Sequence, residues 1–169
     1  GALLATNMGL LGGALHISMH AFAKITLFFA AGAILVAANK SDVSDMGGLG
    51  RAMPITFGAF LIGSLSIIGL PPFGGMWSKW YLGLGTVETG QWLLLSVLLT
   101  SSLLNIAYLL PVSVKGFFGK TRDGTTYTRI KEAPVSCLIA MMITSLACLL
   151  LFFYPDPFYE LALNVSGGK

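Results

Sequence analysis

The sequence contains little charge, and its acidic residues are absent from its long apolar segments. Only 10% of the 169 residues are charged, whereas 55% are hydrophobic. A soluble domain carries about 25% charged residues, so this chain has too few to cover a water-facing surface. The composition therefore excludes a soluble domain and indicates an integral membrane protein in a lipid bilayer.

Basic residues and cysteines are scarce as well. The net charge of +3 comes mostly from the connections between apolar segments, so no basic face for nucleic acid is visible, and we expect no nucleic-acid partner. Cys137 and Cys148 share one apolar run. On a helix they are separated by about 16 Å, which is beyond the reach of a disulfide.

Four apolar runs are long enough to cross a hydrocarbon core, which needs about 20 helical residues. They cover about 10–38, 54–84, 92–114 and 134–153. We therefore predict an all-α membrane protein of about four transmembrane helices, forming a single membrane domain over 1–169. The residues from 154 to 169 are predicted to be a peripheral tail.

The distribution of basic residues predicts the orientation of these helices. The loop 115–132 is rich in them, whereas the loop 85–91 has none; the basic residues are Lys115, Lys120, Arg122, Arg129 and Lys131. Loops rich in lysine and arginine stay in the cytoplasm. We expect loops 115–132 and 39–53 on the cytoplasmic side of the cell membrane, and loop 85–91 and the C-terminus outside.

The second apolar run is interrupted in its middle by prolines and glycines, namely Gly69, Pro71, Pro72, Gly74 and Gly75. Proline removes a backbone donor and clashes with the preceding turn. Broken backbone at membrane depth survives inside protein or beside a water-filled cavity, and broken helices of this kind form ion or substrate sites in transporters. A proline kink without a site is the alternative.

The first run carries His16, His20 and Lys24, whose spacing of four places them on one helical face. A charge at membrane depth costs several kcal/mol unless it is paired or hydrated, so such residues are candidates for function. Two imidazoles beside a lysine could form a proton relay. Polar helix packing, metal binding by the histidines and haem ligation are the alternatives. No carboxylate or thiol completes a metal site, and we expect neither metal nor cofactor.

Lys79 follows the break, between Trp77 and Tyr81. Aromatic residues gather at membrane interfaces, where lysine extends its amine towards water. The residues alone leave Lys79 open as either an interfacial anchor or a buried proton carrier. Polar residues of the third run, Thr100, Ser101, Ser102 and Asn105, are expected to form hydrogen bonds between helices.

Taken in order, these segments resemble a known family. They resemble the eleventh to thirteenth helices of antiporter-like proton-translocating subunits: the L, M and N subunits of bacterial complex I, and the A and D subunits of Mrp-type sodium/proton antiporters, closest to D. The matching segments are 16–24, 27–32, 47–54, 69–79 and 105–111. The resemblance implies that Lys79 is the terminal proton carrier of a half-channel that Lys24 and His20 supply.

The resemblance also implies that this chain is shorter than the family's subunits. Those have about fourteen helices in two inverted repeats, and this chain matches only the last four or so. The first repeat carries the family's intramembrane Glu–Lys pair, which accounts for the missing carboxylate. We expect the chain, which begins at Gly1 rather than at a methionine, to be a fragment or a split subunit that works with other membrane subunits.

Three functions remain open from the sequence. The first is the proton-conducting part of a Na⁺/proton antiporter, which is a transporter rather than an enzyme. The second is the equivalent subunit of a redox-driven pump, of the NADH–quinone oxidoreductase or membrane-bound hydrogenase type. The third is a passive scaffold for assembly, and a haem-carrying redox protein is a more distant fourth.

Overall fold

The computed structural model describes residues 1–120 and 130–166. Within these ranges it has six α-helices, three short 3₁₀ segments and no β-strand. The helices are α1 (Asn7–Ala38), α2 (Pro54–Ile68), α3 (Gly75–Glu88), α4 (Trp92–Phe118), α5 (Val135–Phe153) and α6 (Asp156–Ser166). Arg122 and Arg129, which support the predicted orientation, lie outside the described residues.

Three of these helices, α1, α4 and α5, are long and apolar enough to cross a membrane. The predicted break in the second run is confirmed, because α2 ends at Ile68 and α3 begins at Gly75. The two halves have 15 and 14 residues, or roughly 22 and 21 Å. Neither half spans a core of about 30 Å alone, so the second span is made of both.

The ends of α1 and α2 follow from local sequence. Thr6 precedes α1 and its hydroxyl accepts a hydrogen bond from the amide of Gly9 at 3.0 Å, while Asn39 ends the helix in the left-handed conformation. Pro54 occupies the first turn of α2, where its missing N–H would have no helical partner. These boundaries lie where capping chemistry places them.

Helix α1 is the centre of the packing, since α2, α3, α5 and α6 all contact it. It runs antiparallel to α3, and the two backbones approach closely at Gly12. A Cβ atom added there would lie 2.6 Å from the amide nitrogen of Leu82. Because lipid is as apolar as leucine, membrane helices associate through close packing, which small residues permit.

Backbone hydrogen bonds join three connections at one end of the bundle. The amide of Gly48 donates to the carbonyl of Lys115 at 3.1 Å, and the amide of Lys131 donates to the carbonyl of Ala52 at 2.8 Å. The loop after α1, the end of α4 and the start of α5 therefore lie together. This agrees with the prediction that loops 39–53 and 115–132 share one side.

Glu132 holds the start of α2 at this same end. Its carboxylate accepts hydrogen bonds from the amide of Ile55 at 2.6 Å and from the hydroxyl of Thr56 at 2.7 Å. The side chain of Met53, which precedes α2, does not cap it. A distant carboxylate therefore caps this helix and complements the positive end of its dipole.

The segment predicted to be a peripheral tail contains α6, which packs along the first half of α1. Ala162 is buried in a cluster with Leu11, Leu15 and Met19, and the rings of Tyr159 and Tyr81 lie 5.8 Å apart. Helix α6 therefore covers the same half of α1 as α3 does. Hydropathy alone misses this packing, because α6 carries Asp156 and Glu160.

Candidate functional site

The break between α2 and α3 is set by its glycines. Gly69 ends α2 with φ of 86°, a left-handed conformation that glycine adopts without a Cβ penalty. Gly75 lies against the end of α2, where an added Cβ would be 1.8 Å from the carbonyl oxygen of Ser66. The amide of Gly74 donates to the carbonyl of Cys148 in α5 at 2.9 Å, which satisfies one backbone group freed by the break.

Lys79 lies in the second turn of α3 and reaches back to this break. Its amine donates to the carbonyl of Ile68, the last residue of α2, at 2.8 Å, and to the hydroxyl of Ser102 in α4 at 2.7 Å. The negative end of the α2 dipole therefore faces the amine. Lys79 is half-buried and its amine joins three helices, whereas a snorkelling lysine would extend towards water.

The histidines of α1 face α3, as their spacing predicts for one helical face. The rings of His16 and His20 have centroids 5.0 Å apart, and Nδ1 of His16 lies 3.0 Å from the hydroxyl oxygen of Ser78. Both histidines are half-buried, whereas Lys24 is exposed on the surface of the chain.

One cavity brings all four predicted proton carriers together. It has a volume of about 230 Å³ and is formed by α1, α3, α4 and the end of α2; its lining residues are His16, His20, Lys24, Ile67, Lys79, Leu82, Leu98, Ser101, Asn105 and Tyr108. None of these residues is acidic. The volume is several times the roughly 30 Å³ that one water occupies, so water could connect these side chains.

Sequence reasoning missed part of this lining. Tyr108 was not singled out, and its hydroxyl donates to the side-chain oxygen of Asn105 within α4. Ser102 forms the expected bond between helices, but its partner is Lys79. The position of Tyr108, three residues after Asn105 and seven after Ser101 on one helical face, was the available signal.

The described residues offer little for a metal. Across residues 1–120 and 130–166, no group of three or more histidine, cysteine or acidic side chains could hold a metal ion. The two cysteines are free thiols, and Cys148 is buried, 3.9 Å from the hydroxyl of Thr26. The functional groups gathered at the break are amines, imidazoles and hydroxyls, which are suited to proton transfer.

Comparison with known proteins places the chain in a family. Residues 1–105, more than half of it, match the family described as NADH:quinone oxidoreductase/Mrp antiporter, transmembrane. The chain belongs to this family. The match covers α1, the broken span and the first half of α4, and therefore every predicted proton carrier.

Individual members of this proton-antiporter family are similar over most of the chain. The N subunit of the NADH-quinone oxidoreductase of Desulforudis audaxviator is 35% identical over 166 residues, covering 92% of this chain and 33% of that protein. A protein of the Na(+)/H(+) antiporter of Alkalihalophilus pseudofirmus, its A-type subunit, is 30% identical over 151 residues, covering 83% of this chain and 19% of that protein.

A solved structure has the same fold. A chain in the structure of the Mrp complex from Dietzia sp. superposes with a TM-score of 0.86 at 21% identity, covering 96% of this chain and 38% of that chain. The predicted all-α membrane fold with a broken second span is confirmed, and the protein is a multi-pass membrane protein. The chain spans about a third or less of the length of the two relatives named above.

Proposed function

We propose that this chain forms the proton-conducting part of a monovalent cation/proton antiporter, with Na⁺ as the exchanged cation. The observation that carries the proposal is the cavity in which His16, His20 and Lys24 of α1 meet Lys79 at the helix break. These are the residues for which the sequence predicts a proton route, and water inside the cavity would connect them.

The surroundings of Lys79 suit a group that gains and loses a proton. When charged, its amine is stabilised by the carbonyl of Ile68 and the hydroxyl of Ser102. When neutral, it no longer carries a charge that is costly to bury. The charge on each lysine would repel the other across a medium of low dielectric constant, so that arrival of a proton at Lys24 would favour its release from Lys79.

The remaining charges would come from other polypeptide. None of the residues that line the cavity is acidic, and the chain spans only part of the length of its relatives. Those relatives are named as subunits, so we propose that the chain works with other membrane subunits in a cell membrane. We propose further that the end holding Lys115 and Glu132 faces the cytoplasm.

A redox-driven pump is the second candidate. The relative covering 92% of this chain is a subunit of an NADH-quinone oxidoreductase. The same lysines and histidines would then carry protons, and reactions in partner subunits would supply the driving force. The two candidates differ in what starts the proton movement.

The test uses everted membrane vesicles that contain the parent complex. A pH-gradient dye is followed after a pulse of sodium, and separately after NADH, in wild type and Lys79→Ala at matched amounts of assembled complex. We expect sodium to move protons in wild type and Lys79→Ala to reduce the rate by at least about tenfold, since groups that transfer protons contribute about 10²–10⁴-fold.

Lys120→Ala is the matched control, because this exposed lysine lies beyond α4 and away from the cavity; it should behave as wild type. Proton movement that follows NADH and ignores sodium would select the redox-driven candidate. Unchanged movement in both Lys79→Ala and Lys24→Ala would reject the route and leave the passive scaffold.

A further inference from the structure

Ser78 is a buried serine that the route above does not use. It lies in the first turn of α3, directly before Lys79, and its side chain is 0% exposed. Its hydroxyl oxygen lies 3.0 Å from the carbonyl oxygen of Gly75 and 3.0 Å from Nδ1 of His16. The hydroxyl therefore connects the helix break to the first histidine of α1.

The number of protons decides the direction of these hydrogen bonds. A serine hydroxyl has one proton to donate and lone pairs that accept, whereas a carbonyl oxygen only accepts. If Ser78 donates to Gly75, it can accept from an Nδ1–H group of His16, and both bonds form. If Ser78 donates to Nδ1 instead, its bond to Gly75 is lost.

The arrangement with two bonds is favoured. A hydrogen bond contributes about 1 kcal/mol net, and water cannot replace the lost bond at a fully buried hydroxyl. A hydrogen bond to one ring nitrogen of a histidine also fixes which nitrogen carries the proton. The neighbours of Ser78 therefore select the Nδ1–H form of His16.

We propose that Ser78 is a positioning residue that holds His16 in the Nδ1–H tautomer, so that His16 exchanges protons with the cavity only through Nε2. This deepens the proposed function and rests on it for its role in transport. A proton from the cavity adds to Nε2 and gives an imidazolium whose Nδ1–H still donates to Ser78. Loss of that proton from Nε2 restores the same neutral tautomer.

The same hydrogen bonds close the route on the far side of the ring. A proton passed from Nδ1 to Ser78 could continue only if the hydroxyl proton moved on, and the carbonyl of Gly75 is not a base that would take it. Protons on His16 therefore return to the cavity and do not cross the break towards α5. The first turn of α3 thus fixes the tautomer of His16 and, one residue later, carries Lys79.

Nitrogen-15 NMR of the full chain in lipid bilayers tests the tautomer without any transport assay. The chain has two histidines, so His20→Gln assigns the signals of His16. We expect neutral wild-type His16 to have a protonated Nδ1 and an unprotonated Nε2, and Ser78→Ala to give a mixture of both tautomers. Ser64→Ala is the matched control: Ser64 is equally buried and bonds within its own helix, to the carbonyl of Phe60.

A wild-type spectrum with protonated Nε2, or a Ser78→Ala spectrum identical to wild type, would overturn the proposal. The wild-type spectrum decides the tautomer even if the variant does not accumulate. Proton movement is then measured in vesicles, where Ser78→Ala should be several-fold slower than Ser64→Ala. A shifted tautomer with unchanged movement would overturn the transport role of Ser78, whereas loss of movement in wild type itself would reject the proposed function and leave the tautomer result intact.

Discussion

Two cavities meet at Lys79, and they differ in size and chemistry. The polar cavity described above has about 230 Å³ and contains the histidines and both membrane lysines. The other, which we call the apolar groove, has about 760 Å³ between α3 and α4 and is lined by Leu95, Leu99, Leu103, Ile106 and similar side chains around Lys79 and Ser102. The larger space offers almost no group that could carry a proton.

Chemistry, rather than volume, therefore identifies the candidate site. The end of α2 separates the two spaces, since Ile67 lines the polar cavity and Ile68 lines the apolar groove. The amine of Lys79 donates to the carbonyl of Ile68 and so lies at this boundary. Substitutions that move this boundary should affect both cavities, and substitutions within one cavity should separate them.

The largest effect is expected from Gly75→Ala. The new Cβ would collide with the backbone of Ser66 at the end of α2, which would force the two half-helices apart and displace Lys79 from both cavities. Such overpacking costs about 1–3 kcal/mol or more. We expect low yield of folded chain and a lower melting temperature in detergent.

Gly83→Ala is the control for this experiment, since an added Cβ there meets no atom within 4 Å. Alanine in the middle of a helix is favoured over glycine by about 0.5–1 kcal/mol, so this variant should melt at or slightly above the wild-type temperature. Equal melting of the two variants would contradict the tight contact at the break.

The next effect separates the two cavities. His20→Ala removes a proton carrier from the polar cavity and should slow sodium-driven proton movement by about tenfold or more. Leu103→Ala trims the wall of the apolar groove at a side chain that is 65% exposed, and should leave the rate unchanged. Vesicle assays at matched assembly measure both, and a slower Leu103→Ala variant would mean that the apolar groove takes part in transport.

Ser102→Ala acts on the boundary itself. It removes one of two hydrogen bonds to the amine of Lys79, a loss of about 1 kcal/mol, or roughly fivefold in rate. Ser96→Ala removes a hydroxyl from the same helix that bonds to the carbonyl of Leu93. A rate for Ser102→Ala equal to that of Ser96→Ala would show that Lys79 does not depend on this bond.

The smallest effect is expected from Glu132→Ala at the opposite end of α2. Losing the cap on Ile55 and Thr56 should lower the stability of the chain by about 1 kcal/mol, read as a small drop in melting temperature. Glu132→Gln keeps one carbonyl oxygen as an acceptor and should melt between Glu132→Ala and wild type. If Glu132→Ala melts as wild type does, the cap does not hold α2 in place.

Much of the fold could be predicted from the sequence. Apolar runs of sufficient length predicted the spans, and the prolines and glycines of 69–75 located the break, because both depend on local backbone chemistry. Packing of α6 on α1 could not be predicted, since Asp156 and Glu160 lower the hydropathy of that segment while Ala162 still fits against Leu11 and Leu15.

The candidate site divides in the same way. The order of residues is enough to place His16, His20 and Lys24 on one face of α1, since helical periodicity depends on spacing, and to place Lys79 after a break. It is not enough to show that Lys79 turns to Ile68 and Ser102, or that Ser78 meets His16. These contacts join different helices, and their distances depend on how closely the helix backbones approach, which the packing of α1, α3 and α4 fixes.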